Sequence, residues 1–242
     1  MLRRTLGLAV LAAAATLSVG AQPTPKNYLE IPPTPGRPFT ATAVVELERY
    51  DEEDVDPVSR TLSLIARDAK GRTHNEVRRL MPESFHGTPQ ILVVRIFDPE
   101  TLMEVTYDPV RHAGTRQIRP DSPKPFLSGA GVKTQNLGTS TMDGLQTKGV
   151  RHWAVISTGA AWWKKSAQVE EEVWTSEDLH LSLLLKRSDE RSGSLTVGIS
   201  NLKREEPPAS MFEVPAGIKV QDLPAADGTM PTSASAGQAG KP

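Results

Sequence analysis

Large apolar residues recur at every second position in the last third of the chain, and this spacing restricts how the chain can fold. Leucine occupies positions 179, 181, 183 and 185, and Leu195, Val197 and Ile199 repeat the pattern. A period of two places alternate side chains on opposite faces of an extended strand, whereas a helix would need a period near ~3.6. The segment 188–193 between the two runs is typical of a turn. The pattern therefore predicts an antiparallel β-hairpin.

Similar patterns continue upstream. A second hairpin is predicted around Asp68-Ala69-Lys70-Gly71, a segment with residues that are favoured in turns. Its two strands are residues 62–66 and 73–80. The other predicted strands cover residues 91–97, 103–107, 150–156 and 169–174. About nine strands result, and helix is confined to a turn near 207–212. The sequence predicts a mainly β fold, a single antiparallel meander curved into a half-open barrel with one or two short helices.

The N-terminus has the features of a secretory signal peptide. Arg3 and Arg4 precede an apolar stretch from Leu6 to Val19, which is too short to remain as an anchor across ~30 Å of hydrocarbon. The apolar stretch is followed by small residues up to Ala21, so we predict that residues 1–21 are a signal peptide that is cleaved after Ala21. The mature chain is then periplasmic or secreted. No later segment reaches the ~18 apolar residues of a membrane helix. We therefore expect no transmembrane span in the mature chain.

The two ends of the predicted mature chain differ in composition from its middle. Residues 22–38 contain six prolines, which remove backbone donors and predict a polyproline-like, Pro-rich leader. Residues 222–242 consist mainly of small and polar residues, which cannot offset their ordering entropy and predict a disordered tail. Between them, residues 39–221 are long enough to form one β-rich domain with its own core.

The cysteine count and the charge balance exclude several classes of protein. The chain has no cysteine, which excludes a disulfide framework and a lipid-modified cysteine at the cleavage point. Lysine and arginine number 28 against 29 acidic residues, for a net charge of −1. Nucleic-acid binding needs clustered positive charge. We therefore predict no nucleic-acid partner.

Short motifs in the second half resemble those of known secreted proteins. The chain carries Asn136-Leu137-Gly138-Thr139, Met142-Asp143-Gly144 and Gly149-Val150-Arg151, then EEVWTSEDLHLSLLLKRSDERSG from Glu171 and SNLKREEPPASMFEVPAGIKV from Ser200. This order resembles a family of uncharacterised secreted bacterial proteins. The closing segment is similar to the ending of the lipoprotein-localisation-factor superfamily. That resemblance implies a half-open antiparallel barrel over a hydrophobic cavity and, for lipoprotein carriers, lipid acyl chains held in the concavity.

Motifs for catalysis or metal binding do not emerge. The five histidines are scattered, without the close ligand pair that zinc sites usually contain, so neither a metal nor a cofactor is predicted. Ser200 and Lys203 match Ser-x-x-Lys, but that geometry needs the start of a helix and these residues end a strand. We interpret the chain as non-enzymatic. An enzyme remains a third alternative, which would need a carboxylate pair or a His–carboxylate pair in a pocket.

The leading functional hypothesis is an exported binding or carrier module for an apolar, lipid-like ligand or an envelope partner. A curved sheet with little helix leaves an apolar face that a ligand, a partner or the leader must cover. The candidate lining residues are Leu62, Leu64, Val93, Leu183 and Val197. Trp162 and Trp163 are adjacent and cannot both point inward on a strand, so they are a candidate rim, with core packing as the plainer alternative. The rival hypothesis is a structural or regulatory extracytoplasmic interaction protein with a self-filled core.

Overall fold

The chain forms one large β-sheet, and β-strands account for nearly all of its regular structure. The computed structural model describes residues 29–49, 59–82, 84–119, 126–129, 131–157 and 166–224. Within those ranges the strands are β1 (Phe39–Arg49), β2 (Ser59–Arg67), β3 (Thr73–Arg79), β4 (Ile91–Asp98), β5 (Met103–Asp108), β6 (Ala113–Ile118), β7 (Lys133–Met142), β8 (Leu145–Ser157), β9 (Ser166–Ser176), β10 (Leu181–Asp189), β11 (Gly193–Lys203) and β12 (Lys219–Asp222). A 3-10 turn covers Ala209–Phe212, inside the predicted helical turn.

The order of the strands in the sheet is β12-β6-β5-β4-β3-β2-β1-β11-β10-β9-β8-β7, so the sheet is not closed into a barrel. All neighbouring pairs are antiparallel except β12 with β6. The predicted mainly β, antiparallel and open fold is confirmed. The sheet is built from two meanders, β1 to β6 and β7 to β11, which join where β1 pairs with β11. The described residues form twelve strands instead of about nine, because β1, β6, β7 and β12 have no counterpart among the predicted segments.

Both hairpins predicted from the alternating patterns are present. β10 pairs with β11 across the predicted turn, and β2 pairs with β3. In the second turn the Asp68 carboxylate accepts bonds from the Lys70 and Arg72 backbone amides at 3.0 and 2.8 Å. Gly71 has φ of +86°, a left-handed conformation that suits glycine. A Cβ at this glycine would come within 3.2 Å of Pro35, so residues preceding β1 pack against this turn.

Residues that pair directly on neighbouring strands point to the same side of the sheet. The pairing therefore assigns each residue to one of two faces, and the two faces are covered differently. We call the face that carries Phe39, Ala43 and Val45 the leader face. Its cluster of buried residues is Leu29, Ile31, Phe39, Ala41, Ala43, Val45, Ile65, Leu145, Leu179, Leu181, Leu183, Val197 and Ile199. The opposite face, here the C-terminal face, carries a second cluster over β2 to β5. Its buried residues are Ala66, Val94, Ile96, Tyr107 and Phe212.

Candidate functional site

Glu30 lies where two distant parts of the sheet come close together. Its carboxylate is 3.6 Å from the Arg119 guanidinium, just after β6, while its neighbours Leu29 and Ile31 belong to one buried cluster with Leu181 and Leu183 of β10. Seven strand spacings separate β6 from β10 in the sheet order, which would be about 34 Å in a flat sheet at ~4.8 Å per strand. The sheet therefore curls around the leader face, and this face is concave.

Leu29 and Ile31 fill the concave face. Their exposed fractions are only 7% and 4%, and both belong to the cluster that spans β1, β2, β10 and β11. The segment 29–38 that carries them contains neither helix nor strand. Burying a large aliphatic side chain is worth roughly 1.5–3 kcal/mol. The leader is therefore the cover of this apolar face, and part of the predicted leader belongs to the core.

Side chains of the concave face hold the leader by its main chain. The Asn75 side-chain amide donates to the Leu29 carbonyl at 3.1 Å. The Arg67 guanidinium donates to the carbonyls of Pro32 and Arg37 at 2.8 and 3.0 Å. These bonds go to backbone oxygens, so they do not depend on the identity of the leader's side chains.

Arg67 is the largest fully buried side chain among the described residues. Besides its two leader partners it donates to the Leu179 carbonyl at 2.5 Å, and its guanidinium lies 5.0 Å from the centre of the Phe39 ring. Burial, and to a lesser degree the charge of Arg37, lowers the pKa of Arg67 to about 10. The group therefore stays cationic at neutral pH. It ties the leader to the β9–β10 turn.

The Asn75 side chain makes only part of its possible hydrogen bonds. The residue is 5% exposed, its amide nitrogen is bound to Leu29, and its Oδ1 atom is buried without a hydrogen-bond partner. Buried acceptors are rarely left unpaired in folded proteins. The leader therefore satisfies the amide nitrogen of Asn75 but not its Oδ1 atom.

The surroundings of Glu30 combine low solvation with positive charge. Burial raises the pKa of Glu30, the guanidinium of Arg119 opposes this, Glu104 adds to it, and Arg187 again opposes it. Arg119 also pairs with Glu104 at 2.9 Å and lies 3.8 Å from the centre of the Phe97 ring. A neutral or acidic side chain is thus tolerated between Leu29 and Ile31. A basic one would meet two guanidinium groups.

The structure separates the predicted lining residues. Leu183 and Val197 lie together in the concave cluster. Val93 shares their face, since the pairs Val93–Val77, Val77–Ser63 and Ser63–Ala43 connect it to β1. Leu62 and Leu64 pair with Val44 and Thr42 and lie on the C-terminal face. Trp162 and Trp163 lie outside the described residues. A ligand-binding role for any of these residues stays a prediction.

The residues that hold the leader were not singled out from the sequence. Arg67 directly follows the predicted strand 62–66, and Asn75 lies in the largely polar predicted strand 73–80, so neither stands out as a polar side chain among apolar neighbours. Leu29 and Ile31 are the aliphatic pair in a segment otherwise rich in proline. Their role depends on the curvature of the sheet, which no local pattern reports.

A second concavity of about 450 Å³ lies beside the β7–β8 and β9–β10 turns. Its charged groups form ion pairs, with Lys148 at 2.7 Å from Glu177 and Arg204 at 2.7 Å from Asp178. All four side chains are more than half exposed. The two carboxylates that line this cleft are thus both paired with basic groups.

Histidines of the sheet form ordinary structural contacts. His74 Nδ1 donates to the Met211 carbonyl at 2.6 Å, and His152 bonds the Thr134 hydroxyl at 2.9 Å. In the described ranges, no three His, Asp or Glu side chains are grouped so as to hold a metal ion. The same part of the chain contains no helix of the length and hydropathy needed to cross a membrane.

No protein-family model matches this chain, nor does any curated protein. Solved structures resemble it weakly. The MucA/MucB complex from Pseudomonas aeruginosa contains a chain with 12% sequence identity and a TM-score of 0.41, over 76% of this chain and 59% of that one. A MucB crystal structure has 14% identity and a TM-score of 0.42, over 77% and 60% of the two chains. This chain thus spans about three fifths of the length of these matches.

Structures of the superfamily named from the sequence also resemble the chain. A LolA superfamily protein from Nitrosomonas europaea has 8% identity and a TM-score of 0.28, over 72% of this chain and 90% of that one. These identities and TM-scores are too low to carry any partner or ligand over to this chain.

Proposed function

We propose that the chain is an exported, non-enzymatic binding module of the cell envelope, whose concave leader face takes an extended segment of a protein partner. The way in which this face holds its own leader supports the proposal. Asn75 and Arg67 donate to main-chain carbonyls, while Leu29 and Ile31 fill apolar positions. Hydrogen bonds to the main chain combined with pockets for side chains are how proteins recognise extended peptides. An acyl chain has no carbonyl groups at such spacing.

An apolar, lipid-like ligand is the second candidate occupant. The observation in its favour is that the concave cluster is aliphatic across β1, β10 and β11, with Val45, Val197 and Leu185 side by side. With the leader displaced, such a surface would need a cover of low polarity. In the rival hypothesis the leader never leaves, the core is permanently self-filled, and other surfaces contact the partner.

Export rests on residues 1–21, which lie outside the described part of the chain. The charged start and the apolar stretch of this segment support a signal peptide. Mass spectrometry of the exported protein should find an N-terminus near Gln22 without an attached lipid. Retention of Met1 in the exported form would contradict the localisation.

Site-specific photo-crosslinking in the cells that export the protein tests the proposed function. A photoreactive amino acid replaces Val93, which is half-buried on the concave face. A matched variant carries it at Leu62, which is half-buried on the C-terminal face. We expect a protein adduct from position 93 and not from position 62.

Native mass spectrometry of gently purified protein separates the alternatives. A bound lipid, with a tryptophan emission shift during titration with lysolipid, would favour the second candidate. Equal adducts from positions 93 and 62, together with an empty protein that binds no lysolipid, would favour the self-filled interaction protein.

A further inference from the structure

We infer, building on the proposed function, that residues 29–37 occupy the concave face as an intramolecular peptide ligand. A partner segment exchanges with them if it has two large aliphatic side chains one residue apart and no basic residue between. The leader then competes with the partner for one groove. Partner affinity is set by how readily the leader leaves.

The leader is bound as a separate peptide would be bound. It adds no strand to the sheet, and its polar contacts to Asn75 and Arg67 use its carbonyl oxygens. Such contacts are available to an extended segment of any sequence. The groove therefore does not require the leader's own sequence for the main-chain part of recognition.

Side-chain selectivity comes from three consecutive positions. Leu29 and Ile31 are buried in the aliphatic cluster, and Glu30 between them lies near Arg119 and Arg187. The two outer positions demand aliphatic groups, because a polar group there would be buried without partners. The middle position disfavours lysine or arginine, because like charges in a poorly solvated site repel.

The unpaired Oδ1 atom of Asn75 indicates that the leader fits incompletely. This acceptor is buried beside the Leu29 carbonyl that the same side chain already binds. A segment that supplies a backbone N–H at this point would form one more hydrogen bond than the leader does. The partner can therefore displace a competitor that is favoured by its covalent attachment.

Fluorescence anisotropy with a labelled peptide of residues 27–38, NYLEIPPTPGRP, tests this inference on the full mature chain. A tethered competitor lowers the apparent affinity for a free peptide by the fraction of time that it fills the groove. We expect the Leu29→Ala/Ile31→Ala chain to bind the peptide at least about tenfold more tightly than the wild type. The matched Leu62→Ala/Leu64→Ala chain, altered on the C-terminal face, should bind as the wild type does.

Changes in the peptide test the three positions directly. Replacing both its leucine and its isoleucine with alanine should weaken binding at least about tenfold. Replacing its glutamate with lysine should weaken binding comparably, whereas glutamine should bind at least as well as glutamate. If the double-alanine chain fails to fold by circular dichroism, the Glu30→Lys chain serves instead, because its leader keeps both aliphatic groups but meets Arg119 and Arg187.

The outcomes are distinct. Leader variants that bind the peptide no better than the control would overturn the inference. So would a peptide that never binds while the chain forms a dimer by light scattering, since that result would assign the groove to the leader of a second copy. A protein adduct from position 93 without improved peptide binding by the leader variants would support the proposed function and contradict only this inference. If the adduct and the improved peptide binding are both absent, the proposed function and this inference are both contradicted.

Discussion

The two faces of the sheet are each covered by a terminal segment, but the two covers are attached differently. The C-terminal cover buries Phe212 and continues into β12, which pairs with β6 through its backbone. Arg116 and Asp222 add two hydrogen bonds at 2.6 and 3.0 Å. The leader buries Leu29 and Ile31 but pairs with no strand.

This difference separates a permanent cover from an exchangeable one. A segment inside the hydrogen-bond ladder is released only when the neighbouring strand opens as well. The leader is held by side chains and by one backbone bond outside the ladder, from the Gly36 N–H to the Ala69 carbonyl at 2.9 Å. Such a segment can leave while the ladder stays intact, in a local opening of lower free energy than global unfolding. The same sheet therefore combines one face that is fixed by its C-terminal cover with one that can open.

The largest expected effect concerns the permanent cover. Phe212 is 7% exposed, and its ring contacts His74 edge-on at 6.4 Å between centroids and the Arg72 guanidinium at 4.9 Å. Phe212→Ala should lower the free energy of unfolding by roughly 3–5 kcal/mol, as measured by chemical denaturation. A loss below about 1 kcal/mol would mean that this cover is also loosely held.

Arg67→Met should have the next largest effect. The substitution keeps the volume but removes donors to three carbonyls, two of them in the leader. We expect a loss of roughly 1.5–3 kcal/mol and faster proteolysis before β1 than elsewhere. Arg60→Met, which removes an exposed pair with Glu46, should leave stability almost unchanged. Equal effects of the two substitutions would contradict the role of Arg67 in holding the leader.

The pH dependence of the permanent cover should be smaller. Burial lowers the pKa of His74, while the bond to Met211 and the charge of Glu76 oppose the shift. The unfolded chain then binds more protons than the folded one just below the ordinary pKa of 6.5. Stability should fall as the pH drops through this window, by at most about 1.4 kcal/mol per pH unit for one proton. His74→Gln should flatten the profile, and an unchanged profile would assign it to other groups.

The smallest expected effect is that of Glu30→Gln in the leader. Because burial raises the pKa of Glu30, its carboxylate contributes more stability when protonated, and that contribution is lost as the pH rises through the folded pKa. At pH 7 the glutamine variant should therefore be no less stable than the wild type, within about 0.5 kcal/mol. A clearly destabilised variant would show that the attraction of Arg119 outweighs burial.

Local patterns predicted the hairpins but not the way in which the strands assemble. The pair β10–β11 alternates buried apolar with more exposed residues and was visible from that alternation, whereas β2–β3 is buried on both faces at its turn and was visible from the turn residues between its strands. β7 lies at the edge of the sheet and is mostly exposed, which leaves its residues without an apolar alternation. In β1 the alternation of Phe39, Ala41, Ala43 and Val45 is present, but its small residues gave a weaker signal.

The candidate site was predicted less well than the fold, because it depends on register and curvature. Leu62 and Val197 both belong to alternating runs, but a run does not say which face of a neighbouring strand it matches. That choice is fixed by the pairing of Leu62 with Val44, on the other side of the sheet from Val45 and Val197. The docking of Leu29 depends on curvature across many strands, which is a long-range property.

Strand β7 bears on how the protein avoids aggregation. An edge strand of this length, ten residues, exposes unpaired backbone groups to other chains. Its pairing with β8 is interrupted by a bulge between Asn136 and Gly138, where Gly138 has φ of +88° and its amide is bound by the Asn136 side chain. Bulges bend a strand and increase its twist, and the Gly138 donor is already bound within the edge strand. Both features disfavour regular pairing of this open margin with the edge of a second copy.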